Sequence, residues 1–173
     1  WLYARVREVE VARDWHLDLW GREHRKSSIL NFGCTIQDIL AAYGDNPLPD
    51  WRGTEPTFCI LSHTATNAQK FLTQIKTEFE NNLMLRALFP DILYENPTKD
   101  AQQWSNAGII VKRKTNKREA TIEAYGLDSL PTGAHFDVLL YDDVIDLGSV
   151  NTPDMIENAI QRWEMSISLG VTE

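Results

Sequence analysis

Arg22-Glu23-His24-Arg25-Lys26-Ser27-Ser28, answered far downstream by Asp137-Val138-Leu139-Leu140-Tyr141-Asp142-Asp143, decides how this chain is read. The first stretch lies between an alternating segment, His16 to Trp20, expected to be a short strand, and a helical pattern from Ser27 onward. In that pattern Ile29, Phe32, Ile36, Leu40 and Tyr43 recur at three- and four-residue steps and share one face. Arg22, Arg25 and Lys26 crowd the helix start, where the dipole disfavours cations. An anion relieves that crowding, because backbone N–H groups at a helix N-terminus converge on anionic oxygens. Lys26 then supplies a point charge for β- and γ-phosphates, and Ser27 a hydroxyl for magnesium. Gly21 is the one glycine of the loop; Arg25 and Trp20 stand where the usual phosphate-binding pattern has glycine, so a loop of different shape is expected. Glu23, His24 and Ser28 complete the candidate nucleotide-binding set, with loop-shaping the alternative for His24.

The second stretch is a buried-strand pattern that ends in two carboxylates. Charges at the end of a buried strand are costly unless paired. Magnesium is the natural partner for Asp142, and Asp143 is placed to orient or deprotonate an attacking water. The alternative is a cap or turn after the strand. Asp137 and Asp146 are expected to be structural.

Between these stretches the pattern alternates. Thr57 to Leu61 reads as a buried strand with Ser62-His63-Thr64 as its exit. Ala68, Phe71, Leu72, Ile75 and Phe79 mark a helix, and Leu83 to Phe89 a shorter apolar stretch ended by Pro90. Gly108 to Arg113 and Ala120 to Tyr125 suggest two strands around Thr115-Asn116-Lys117. Thr152-Pro153 opens a last helix, with Ile156, Ile160, Trp163 and Ile167 expected as its buried stripe. Strand–helix alternation favours parallel strands joined by helical crossovers. The expected fold is α/β: a P-loop NTPase-like, mostly parallel sheet flanked by helices, with an inserted antiparallel hairpin.

The chain has 173 residues, 43% hydrophobic, with six tryptophans, five tyrosines and six phenylalanines, enough for one packed core. The expectation is therefore a single domain over 1–173, cut from something longer at both ends. A formal net charge of -8 argues against a surface that binds nucleic acid everywhere, but not against a local patch. The dense basic segment Lys112-Arg113-Lys114, continued by Lys117-Arg118, is either a solvated hairpin tip or a phosphate-contacting ridge. Cys34 and Cys59 lie in apolar segments without zinc spacing and are expected to be buried thiols in a reducing compartment. No apolar run approaches membrane-spanning length.

Taken together these pieces resemble the ATPase domain of phage terminase large subunits, the DNA-packaging motors. That family often carries loops of the Arg-x-His-x-Lys-Ser type, which Arg22 to Ser28 matches. Also similar are Leu61-Ser62-His63-Thr64 leading into Ala68-x-x-Phe71-Leu72, Leu88-Phe89-Pro90, Thr121-Ile122-Glu123-Ala124, and Thr132-Gly133-x-His135-Phe136-Asp137 before the acids. The similarity runs from about Trp15 to Trp163. It implies ATP and Mg2+ as cofactors, with Lys26 on the β/γ-phosphates, Ser27 and Asp142 on magnesium and Asp143 acting on the water. Arg22 touches phosphate or couples the loop to hydrolysis, and His135 lies near the site. The implied partners are double-stranded DNA, the portal protein, the small terminase subunit and further copies in a ring, with no membrane. The place is the cytoplasm of the infected bacterial host, docked on the procapsid. The family's nuclease domain is not recognisable in this chain. A helicase-like DNA translocase and a non-hydrolysing nucleotide-binding assembly module are the competing readings.

Overall fold

A computed structural model describes residues 1–11, 16–19, 26–41 and 55–171. They divide into two compact units, Trp1–Pro56 and Thr57–Glu173, each taken by itself below.

In the first unit helix α1 spans Leu2–Val11. Lys26 and Ser27 are helical, Ser28–Cys34 forms a π-helical stretch, and α2 spans Thr35–Ala41. Of the expected face Ile36 and Leu40 are buried and Ile29 and Phe32 half-buried; Ile39, outside that pattern, is buried as well. The strand expected from His16 is not formed over residues 16–19. The Asp18 carboxylate accepts from Arg5 Nε of α1 at 2.8 Å and pairs with His16 Nε2 at 2.9 Å. Leu17 and Leu19 are 75% and 85% exposed, so the alternation has no sheet to face. Trp20 and Tyr43 lie outside the described residues.

The second unit is a mixed four-stranded sheet, in the order β2-β3-β1-β4, with helices packed against it. Strands β1 (Phe58–Ser62), β3 (Ile122–Gly126) and β4 (Val138–Tyr141) are mutually parallel, with β1 central. Every residue of β1 is buried, which is why it reads as a continuous apolar run. Cys59 and Leu61 face a cluster with Leu127, Phe136, Leu169 and the half-buried Leu139 and Tyr141. By alternation Phe58 and Ile60 take the other face, which α3 (Ala65–Asn81) covers with Ala68, Leu72, Ile75 and Phe79. Burial, with Glu123 beside it, pushes the Cys59 thiol up, while Cys34 is only half-buried. Short helices α4 (Leu83–Leu88) and α5 (Pro97–Asp100) follow α3.

Strand β2 (Gly108–Ile109) is the antiparallel edge, paired with β3 through Gly108↔Glu123 and Ile109↔Ile122. The expected strand to Arg113 stops early because its donors turn to other partners. Ile110 N–H goes to Gln103 O and Lys112 N–H to Ile92 O, both at 2.9 Å, while Val111 N–H takes the Thr121 hydroxyl at 3.1 Å.

Helix α6 (Pro153–Ile167) begins as expected, with the Thr152 side chain accepting from Met155 N–H and Pro153 in the first turn. Its apolar stripe is not buried: Ile156, Ile160 and Trp163 are 42%, 48% and 36% exposed. Periodicity identifies the apolar face of a helix but not whether another element covers it. After α6 the chain returns beside β4, where Phe136 N–H bonds Leu169 O at 2.7 Å and Val171 N–H bonds Phe136 O at 3.1 Å. No helix among the described residues is long and apolar enough to cross a membrane.

Candidate functional site

Because β1, β3 and β4 are parallel, their exits gather along one edge of the sheet, where open α/β sheets bind ligands. Asp142 continues the β4 ladder, its N–H donating to Leu61 O at 2.9 Å, and the residue is only 2% exposed. Asp143 is exposed and leaves the strand with φ at +45°, a left-handed conformation that Asp tolerates better than most residues. The bend is held from β1: the Asp143 carbonyl accepts from His63 N–H at 3.1 Å and from the Ser62 hydroxyl at 3.4 Å. The His63 ring reaches the same loop again, with Nε2 3.4 Å from Asp146 Oδ2. His63 thus spans the acid loop at two points, residues 143 and 146. The Asp146 carboxylate also accepts from Ser149 N–H at 2.7 Å. That bond is the main cause holding the Asp146 carboxyl below the usual carboxylate range; the Ser149 hydroxyl and His63 act in the same direction and burial opposes them.

The third exit is pinned to the first. Leu127 N–H bonds Ser62 O at 2.9 Å, which brings the turn after β3 against the start of α3. A Cβ on Gly126 would lie 2.5 Å from Ala65 N and 2.9 Å from Thr64 C, so only glycine fits this close approach. Thr64 accepts from Asn67 N–H at 3.4 Å and starts α3 at the same edge.

Of the expected site residues, Asp142 and Asp143 are brought together with Ser62 and His63. Lys26 and Ser27 are helical in the first unit; Ser27 has φ and ψ of -63° and -36°, and Ser28 opens the π-helical stretch. Single π turns interrupt α-helices preferentially at functional places. Arg22, Glu23, His24 and Arg25 lie outside the described residues. Among the described residues no three His, Cys, Asp or Glu side chains group to hold a metal ion. Magnesium asks for less: one or two carboxylates or hydroxyls, with phosphate oxygens and water completing six positions. The Asp142 carboxylate is a hard oxygen donor of the type magnesium takes.

His135 was expected near the acids and is not. It precedes β4, whereas the acids follow it, so the four-residue strand Val138–Tyr141 lies between them. Its N–H donates to Glu119 at 3.1 Å, and the residue lines a cavity of about 390 Å³ with Ser168, Gly170 and Val171. Asp137 is structural as expected: it accepts from Thr57 N–H at 2.8 Å, from the Thr57 hydroxyl at 3.0 Å and from Lys117 at 3.0 Å.

What the linear reading missed is the role of His63. Its tetrapeptide marks a strand exit, but nothing local reveals that Asp143 and Asp146, eighty residues on, return to it. No protein-family model and no curated protein matches this chain.

Proposed function

We propose that this chain is the ATP-hydrolysing motor domain of a terminase large subunit, which drives double-stranded DNA into a viral procapsid. The observation that carries this reading is the end of β4. A buried Asp142 is followed at once by an exposed Asp143 in a bent backbone, at the carboxyl edge of a parallel sheet. Consecutive carboxylates with opposite exposure suit different tasks. Asp142 and the Ser27 hydroxyl would hold magnesium, which would supply positive charge against the phosphates. Lys26 grips those phosphates, Arg22 contacts them or couples the loop to hydrolysis, and Glu23, His24, Arg25 and Ser28 form the rest of the cradle. Asp143 orients the attacking water and accepts its proton as the water oxygen bonds to the γ-phosphorus and ADP leaves with the bridging oxygen. The bonds from Ser62 and His63 to its carbonyl give this base a fixed backbone. In this reading the chain works as a homo-oligomeric ring with the portal protein and the small terminase subunit, on the procapsid in the cytoplasm of an infected bacterium.

Phosphate release with duplex DNA and portal tests the proposal. Lys26→Ala should abolish magnesium-dependent release while circular dichroism stays unchanged, and undiminished turnover per chain rejects the role given to Lys26. Turnover coupled to strand separation assigns the chain to the helicase-like translocases instead. Nucleotide binding without turnover assigns it to the assembly modules.

A further inference from the structure

We propose that His63 is a positioning residue for Asp143: its ring, acting through Asp146, fixes how the acid loop leaves β4. Its part in turnover rests on the ATPase reading of the site; the clamp on the loop does not.

His63 stands on a post that its neighbours make rigid. It lies between the end of β1 at Ser62 and Thr64, whose side chain caps α3. The Ser62 carbonyl accepts from Leu127 N–H at 2.9 Å, so the exit of β1 is tied to the turn after β3. The far side of the clamp is a turn closed on itself. The Asp146 carboxylate accepts from Ser149 N–H at 2.7 Å, Asp146 N–H donates to the Ser149 hydroxyl at 3.1 Å, and that hydroxyl donates to the Asp146 carbonyl at 2.8 Å. The His63 ring joins these two pieces, with Nε2 3.4 Å from Asp146 Oδ2. An ionised carboxylate only accepts, so the form of the ring with a proton on Nε2 closes the contact.

Between the joined pieces run Asp143, Val144 and Ile145. The Asp143 carbonyl accepts the His63 N–H at 3.1 Å, and Val144 packs against the cluster of Leu61 and Phe136. Asp143 carries a φ of +45°, so a loose loop would let it relax toward the ordinary region. The ring holds the chain three residues past the point where the N–H holds it, which removes that freedom. The ring and the Asp146 side chain are 31% and 51% exposed, too open for the pair to add much to folding. Its consequence is therefore the aim of the Asp143 carboxylate, and a displacement of about 1 Å at a reacting group costs on the order of 100-fold in rate.

The test compares the whole wild-type chain with His63→Leu, His63→Gln, Asp146→Ala and the double variant His63→Leu/Asp146→Ala. Two quantities are read. One is steady-state phosphate release with Mg-ATP. The other is the protection of the backbone amide at position 63 against hydrogen exchange, which reports its bond to Asp143 and needs no nucleotide. His63→Leu should lower kcat by about 10- to 100-fold with KM and the urea midpoint unchanged, and should lower that protection by about 10-fold. His63→Gln keeps a donor at similar reach and should restore most of both. The double variant should be no slower than Asp146→Ala alone, because the ring acts through that carboxylate. Wild-type kcat and protection in His63→Leu overturn the proposal. A Gln variant as impaired as the Leu variant overturns it too, since the effect then belongs to the packing of the ring. So does a rise in KM at unchanged kcat, or a further loss in the double variant. A wild-type chain that never releases phosphate removes the motor reading alone, and the clamp then stands or falls on the protection in the same variants.

Discussion

Asp143 has a backbone that its neighbours impose. Its positive φ persists because Ser62 and His63 both bond its carbonyl, and a non-glycine residue kept in a sparse conformation at a strand exit is typical of sites where geometry matters to chemistry. Two substitutions separate backbone from carboxylate. Asp143→Asn keeps the left-handed preference and should leave stability and Mg-ATP binding intact while slowing cleavage by about 100-fold or more. Asp143→Val should cost about 1–2 kcal/mol in urea unfolding, because a β-branched side chain resists positive φ. Loss of nucleotide binding in the Asn variant, with bound nucleotide cleaved normally, would reverse the division of labour between the two acids.

Asp146, three residues on, should make the acid loop sensitive to pH. Its carboxyl is held low chiefly by the Ser149 N–H, with the Ser149 hydroxyl and His63 helping against burial. A depressed folded-state pKa contributes stability above the unfolded value, and that contribution is lost as pH falls through the folded value. The Ser149 amide resonance should therefore titrate with a midpoint below the ordinary Asp value of about 3.9, and Asp146→Asn should abolish the titration. A midpoint at or above that value would refute the bond as the cause.

At the scale of elements, α3 and α6 show the same apolar periodicity and different fates. Leu72 of α3 is fully buried against the sheet, and Leu72→Ala should cost about 2–5 kcal/mol. Ile160 sits mid-stripe on α6 but is 48% exposed, and Ile160→Lys should change stability by no more than about 0.5 kcal/mol. Chemical unfolding of both variants checks the contrast, and a loss at Ile160 comparable to that at Leu72 would show the stripe to be covered. The strands divide in the same way. The β1 run was legible because a strand in the middle of a parallel sheet is apolar on both faces, whereas β4, equally apolar in sequence, lies at the sheet edge and is only half-buried. β2 shrank to two residues because donors at 110–112 found acceptors at 103, 121 and 92. Residues 16–19 alternate like a strand, yet Asp18 is taken by Arg5 and His16 and the leucines face solvent.

For the molecule as a whole, the linear pattern by itself determined the α/β class, the parallel core, the apolar face of α3, the start of α6, and the acid pair at a strand exit. Each of these depends on local periodicity or on a cap within a few residues, where neighbours in sequence are neighbours in space. Only the tertiary structure decided which apolar faces are covered, that His135 stands at the far end of β4 from the acids, and that His63 holds the acid loop at two points. It also decided that Arg113 and Arg118 of the basic loop bond to carbonyl oxygens. Those outcomes turn on strand order and on contacts between residues far apart in the chain, Ser62 with Asp143 and His63 with Asp146 among them, and no local pattern encodes them because the same side chains would satisfy the same periodicity in a different register or sheet order.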